Sequence, residues 1–170
     1  MSEGDFTLDR SGEAHARAAE AFDRLKPELA ALLPVSADII HVGATAVPGC
    51  LTKGDLDVAV RVPDEDFEIA EAALSARFPR NHGSVQTMDF AAFEVRGANP
   101  ETGIQLAVIG GPFDHFHVFG PALVAHPALL EGYNELKTMF EGQPMETYRA
   151  AKALFINAVI DGVARGEIPL

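Results

Sequence analysis

Two short stretches hold residue types whose spacing could do chemistry together. The first is a strand-like run, Ile39-Ile40-His41-Val42, that leads into Gly43-Ala44-Thr45. Glycine has no Cβ, so the backbone at Gly43 can approach a ligand, and successive N–H groups in such a turn can cradle a phosphate. Thr45 adds a hydroxyl donor. The second stretch is Asp55-Leu56-Asp57. On a strand, residues i and i+2 share one face roughly 7 Å apart. Both carboxylates can then converge on one divalent cation, and Mg²⁺ takes one or two carboxylates and fills its shell with water and phosphate oxygens. The two stretches together predict a nucleotide's phosphates beside Mg²⁺ or Mn²⁺, an arrangement suited to phosphoryl or nucleotidyl transfer. Lys53 lies between them. Its ammonium either meets a phosphate or pairs with Asp55 or Asp57, and at this level both readings stand.

Each feature alone is weak. A glycine turn after a strand is often only a turn, and Asp-x-Asp at a strand start is often a solvated edge. Their combination at this spacing is more specific. The other candidates read as structural. His115 and His117 stand at i and i+2, but no carboxylate cluster completes a metal set. His41 reads as a hydrogen-bonding residue of the fold. Cys50 is the only cysteine and has no partner for a disulfide or a catalytic thiol. Lys152 reads as an ion-pairing residue whose stem packs on the last helix. Phe90, Phe93, Phe113, Phe116 and Phe119 read as core.

The elements that must position these residues follow from periodicity. Ala14, Ala18, Phe22, Leu25, Leu29 and Leu32 recur at helical spacing after a capping Ser11, with Pro27 as a point where the helix splits or kinks. Residues 1–10 read as extended or frayed. Residues 55–62 alternate strictly, with Leu56, Val58, Val60 and Val62 on one face. Asp64 caps a helix whose stripe is Phe67, Ala70, Leu74 and Phe78. Residues 89–95 and 104–109 read as an antiparallel hairpin around the Gly97–Gly103 turn. Helices follow over 113–125, 127–140 and 145–164. This order predicts one α/β (α+β) domain spanning residues 1–170, with a mixed β-sheet and helices packed on one main face.

Of the 170 residues, 48% are hydrophobic and 22% charged, which suits a globular core without metal or disulfide staples. The formal net charge of −12 repels nucleic acid and anionic membranes, and no Lys/Arg run opposes it. A small nucleotide remains compatible, because binding is local and divalent cations offset the charge. The N-terminus lacks a basic start and an apolar run, and no stretch approaches a membrane span. A cytoplasmic location is therefore expected.

Residues Gly43 to Asp57 resemble the signature of the GrpB family, which runs roughly G-S-T-[AS]-V-P-G-L-x-x-K-P-x-x-D. Gly43, Thr45, Ala46, Val47, Pro48, Gly49, Lys53 and Asp57 match it. The stretch also resembles the general nucleotidyltransferase pattern of a glycine turn followed by Asp-x-Asp or Asp-x-Glu. Ala125-His126-Pro127 and Ala151–Ile156 look like the family's C-terminal helices. The resemblance implies a nucleotidyltransferase-like fold, nucleoside triphosphate binding at Gly43, Ala44, Thr45 and Lys53, and metal binding and catalysis by Asp55 and Asp57. Nucleoside monophosphate would pass to an unknown small-molecule or protein acceptor. Four departures matter. Ala44 replaces a serine, Gly54 a proline, and Asp55 a usually apolar residue, the last bringing the chain closer to Asp-x-Asp. The family's His-Leu-His element falls at Gln105-Leu106-Ala107. Active nucleotidyltransferases carry a third carboxylate whose expected place here is Gln105, with Glu94 or Asp89 as substitutes. An alternative follows: a catalytically inactive binding, regulatory or accessory domain. Related domains attached to a coenzyme A biosynthetic kinase fit that alternative.

Overall fold

The computed structural model describes residues 4–170. The alternation in the acidic segment does build a strand, β2 (Leu56–Val62), at the centre of a four-stranded sheet. β1 (Asp38–Val42) flanks it antiparallel, β4 (Thr102–Val108) runs parallel on its other side, and β3 (Phe90–Glu94) closes the far edge antiparallel to β4. The order across the sheet is β1-β2-β4-β3. Leu56, Val58, Val60 and Val62 are all fully buried. With Ile104, Leu106 and Phe93 they form one sheet face, covered by α1 (Ala14–Leu32) and α2 (Phe67–Arg77) through Ala18, Leu29, Ala70 and Leu74.

Helices are not confined to that face. α3 (Phe116–Ala125), α4 (Pro127–Phe140) and α5 (Met145–Ala164) form a second apolar cluster. Phe119, Leu123, Tyr133 and Val159 pack there against Val47 and Cys50 of the loop after the glycine turn. Phe90, Ala92 and Ala107 on the second sheet face receive Phe113 and Phe116. The clustering of these phenylalanines in the sequence thus marks core, as expected.

Several local expectations shift. Pro27 sits inside an uninterrupted α1, and Ser11 does not cap it; the Ser11 hydroxyl accepts from the Glu13 N–H one step outside the helix. Asp64 opens a one-turn 3-10 helix, Asp64–Asp66, ahead of α2. The described part of the N-terminal segment is tied down. Phe6 donates its N–H to Gln143 and stacks on Tyr148, and the Asp9 N–H donates to the Thr52 carbonyl at 2.8 Å. Phe6 and Leu8 are buried, because α4, α5 and the loop before β2 offer them an apolar trough.

Candidate functional site

Gly43 adopts φ +79 and ψ −172, a backbone region essentially restricted to glycine. It ends β1 and starts a one-turn 3-10 helix, Ala44–Ala46. The reason lies across the strand pair. Val42 is the register partner of Asp57, and a Cβ on Gly43 would stand 2.6 Å from Asp57 Oδ2. The turn therefore packs its bare backbone directly on the first carboxylate of β2. Gly103, the β4 partner of Asp57, leaves similar room on the other side: a Cβ there would lie 3.6 Å from Asp57 Oδ1.

Asp57 is half-buried, and its carboxyl is pushed above the ordinary carboxylate range by burial and by the neighbouring charge of Asp55. Lys152 of α5, the Gln105 amide and Lys53 oppose that rise. Asp55 pairs with Lys53 at 3.3 Å, so of the two readings of Lys53 the ion pair is the one realised in the folded chain. Gln105 Nε2 lies 3.4 Å from Asp57 Oδ1, placing the amide beside the acidic pair.

The Thr45 hydroxyl requires a correction. It is buried, donates to the Asp55 carbonyl at 3.0 Å and joins His41 Nε2 at 2.9 Å. It holds the turn to the acidic segment and is not presented to a ligand. His41 is thereby the hydrogen-bonding residue its position suggested, and burial lowers its pKa. Neither substitute for the third carboxylate lies next to Asp57. Asp89 precedes β3 at the opposite end of the sheet, where its carbonyl accepts from Val108. Glu94 shares the row of Asp57, but Gly103 of β4 stands between them, two strand spacings apart. Among the described residues no group of three His, Cys, Asp or Glu side chains could hold an ion. Two carboxylates still suit a single Mg²⁺ or Mn²⁺ that draws further oxygens from phosphates and water. They do not suit a pair of cations.

Residues outside the motif complete the site. Asn134 of α4 accepts from the Leu51 N–H at 2.7 Å and donates to the Gly49 carbonyl at 2.9 Å. One turn on, Lys137 donates to the Leu51 carbonyl, lies 3.6 Å from Cys50 Sγ and stands over the Tyr133 ring. This lysine is 2% exposed, and burial pulls its pKa down to about 8. Asn134 and Lys137 clamp the segment that joins the glycine turn to β2. The sequence holds a signal for Lys137: it stands four residues after Tyr133, on the apolar stripe of α4.

A family model described as "GrpB protein" matches residues 13–161. The chain belongs to the GrpB family. A UPF0157 protein of Vibrio cholerae serotype O1 is 32% identical over 152 residues, which cover 89% of this chain and 80% of that relative. Among solved structures, the conserved protein GrpB from Enterococcus faecalis aligns with TM-score 0.69 at 16% identity, covering 95% of this chain and 98% of that one. The Cid1 poly(U) polymerase, in a mutant form bound to MgATP, aligns with TM-score 0.51 at 12% identity, covering 76% of this chain and 42% of that one. The GrpB chain and the polymerase thus share a nucleotidyltransferase-like fold.

Proposed function

We propose that the region between the Gly43 turn and the start of β2 binds a nucleoside triphosphate with one Mg²⁺ or Mn²⁺, and that it serves transfer of a nucleoside monophosphate to an acceptor hydroxyl or phosphate. The observation that carries this reading is the contact of Gly43 with Asp57: only a residue without Cβ lets the turn lie against that carboxylate. The backbone of Gly43, Ala44 and Thr45 would receive phosphate oxygens. Asp55 and Asp57 would hold the cation, which when bound offsets phosphate charge. Lys53 would exchange its partner Asp55 for phosphate, and Lys152 lies close enough to act on the charge of Asp57. The MgATP of the polymerase that shares the fold supports the same ligand class.

A second reading, a catalytically silent nucleotide-binding or accessory domain, is favoured by one observation. A neutral amide, Gln105, stands beside Asp57 where a third carboxylate is expected. Calorimetric titration with ATP, GTP, CTP and UTP in Mg²⁺, paired with a label-transfer assay from α-labelled nucleotide, separates the two. Sub-millimolar binding lost in Asp57→Asn, with transfer, supports the first reading. Binding without transfer supports the second. No binding to any of the four removes both.

A further inference from the structure

A pocket of about 430 Å³ lies between β1 and α3, on the sheet face that carries Asp57. Its volume falls in the range of small-molecule sites, ~300–1,000 Å³. Ile40, Val42, Ala46, Phe116 and Val124 line it, and no Lys, Arg, Asp or Glu side chain does. Val42 is the register partner of Asp57, and Ala46 belongs to the same 3-10 turn as Gly43. The inner wall of the pocket is therefore the outer side of the proposed phosphate turn.

One polar side chain on the wall, His117, lies beside a fixed carboxylate. His117 Nδ1 is buried and stands 3.4 Å from Asp114 Oδ1, without a hydrogen bond of good geometry. Asp114 is itself fixed: Arg61 donates to both its oxygens at 2.5 and 2.9 Å, and the Gly110 N–H donates at 2.8 Å. Burial would raise the Asp114 carboxyl, but these donors outweigh it and hold it ionised, below the usual range. Burial and the Arg61 charge lower the His117 pKa, which favours the neutral imidazole. In the neutral tautomer that carries its proton on Nδ1, Nε2 is left as an acceptor.

We infer that this pocket takes the uncharged planar ring of a nucleoside, with a ring N–H or amino group donating to His117. The inference rests on the nucleotide reading above and extends it by naming where the base lies. The absence of Lys, Arg, Asp and Glu from the wall disfavours a charged ligand, and mostly apolar walls with His41 and His117 among them suit a flat heterocycle with a donor edge. The pocket adjoins the phosphate turn, as one nucleotide spanning both would require.

The test uses adenosine and uridine, which carry no phosphate, titrated without metal and followed by ligand-observed NMR. Val124 is 61% exposed, so Val124→Trp fills the pocket from its rim with little demand on the fold, which an unchanged Tm verifies. We expect one or both nucleosides to bind, at least about tenfold more weakly in Val124→Trp and in His117→Ala. Nucleoside binding insensitive to Val124→Trp, or none up to 10-millimolar-order concentrations, overturns the inference. Failure of the underlying reading looks different: nucleosides bind, but ATP with Mg²⁺ binds no more tightly and Asp57→Asn changes nothing.

Discussion

The contact between Gly43 and Asp57 makes a direct prediction about coupling. Gly43→Ala places a Cβ against Asp57 Oδ2 and forces an L-residue to φ +79. The backbone part costs ~1–3 kcal/mol, and the steric part depends on the carboxylate. In an Asp57→Ala background only the backbone part remains. A double-mutant cycle read by urea unfolding should therefore show Gly43→Ala less costly there by about 0.5–3 kcal/mol. Strict additivity would mean the turn and the carboxylate do not touch in solution. Lys137 offers a second residue-level test. Its pKa is about 8 in the fold against 10.5 for the free group, so between those values the folded chain holds fewer protons than the unfolded one. Stability contributed by this group rises with pH across that window. Cys50, Tyr133 and Tyr148 act oppositely, since burial raises their pKa values and lowers stability once pH exceeds their ordinary ones. The Tm difference between the wild type and Lys137→Met, followed from pH 7 to 10, isolates the lysine. The variant should gain least relative to wild type at the alkaline end. A flat difference would place the ammonium in solvent.

At the scale of the element, β2 carries two jobs on opposite faces. Leu56 is fully buried between α1, α2 and the neighbouring strands, and its truncation to Ala should cost ~2–5 kcal/mol. Asp57→Asn on the other face removes a carboxyl that is already harder to ionise in the fold, so the metal-free Tm should stay level or rise slightly. Thermal unfolding of both variants checks this. A collapse of Asp57→Asn would make Asp57 a structural carboxylate. β2 was legible because strict alternation has one reading, a strand with unlike faces. α1, α4 and α5 were legible from long apolar stripes. The anchoring of the N-terminal segment was not legible because so short a stretch has no period of its own. Phe6 and Leu8 are ordered only by a trough that distant helices build.

At the scale of the whole molecule, a net charge of −12 means any added salt screens self-repulsion. A specific cation at Asp55 and Asp57 adds stability by mass action on top of that. Titrating Mg²⁺ and Mn²⁺ at constant ionic strength should raise Tm in the wild type and not in Asp55→Asn/Asp57→Asn. An equal rise in both would assign the effect to screening and remove the cation site. The described residues include no helix long and apolar enough to cross a membrane.

By itself the sequence determined the local pieces of the site. A glycine, a threonine, a lysine and two aspartates lie within one short span, so their proximity follows from chain geometry and a strand's two-residue period. Periodicity likewise determined the order and type of most elements. What tertiary structure alone decided is which groups face one another across strands and layers. Register set Gly103 and Gln105 beside Asp57 and put Asp89 at the far end of the sheet. Burial turned the Thr45 hydroxyl into an internal tie and drew Lys137 into a helix-borne clamp on the loop. A pocket formed where α3 leans on β1, with His117 beside the Asp114 carboxylate on its wall. Gln105 with Asp57 and Lys137 with Leu51 pair residues tens of positions apart, through desolvation and packing that a linear pattern does not encode.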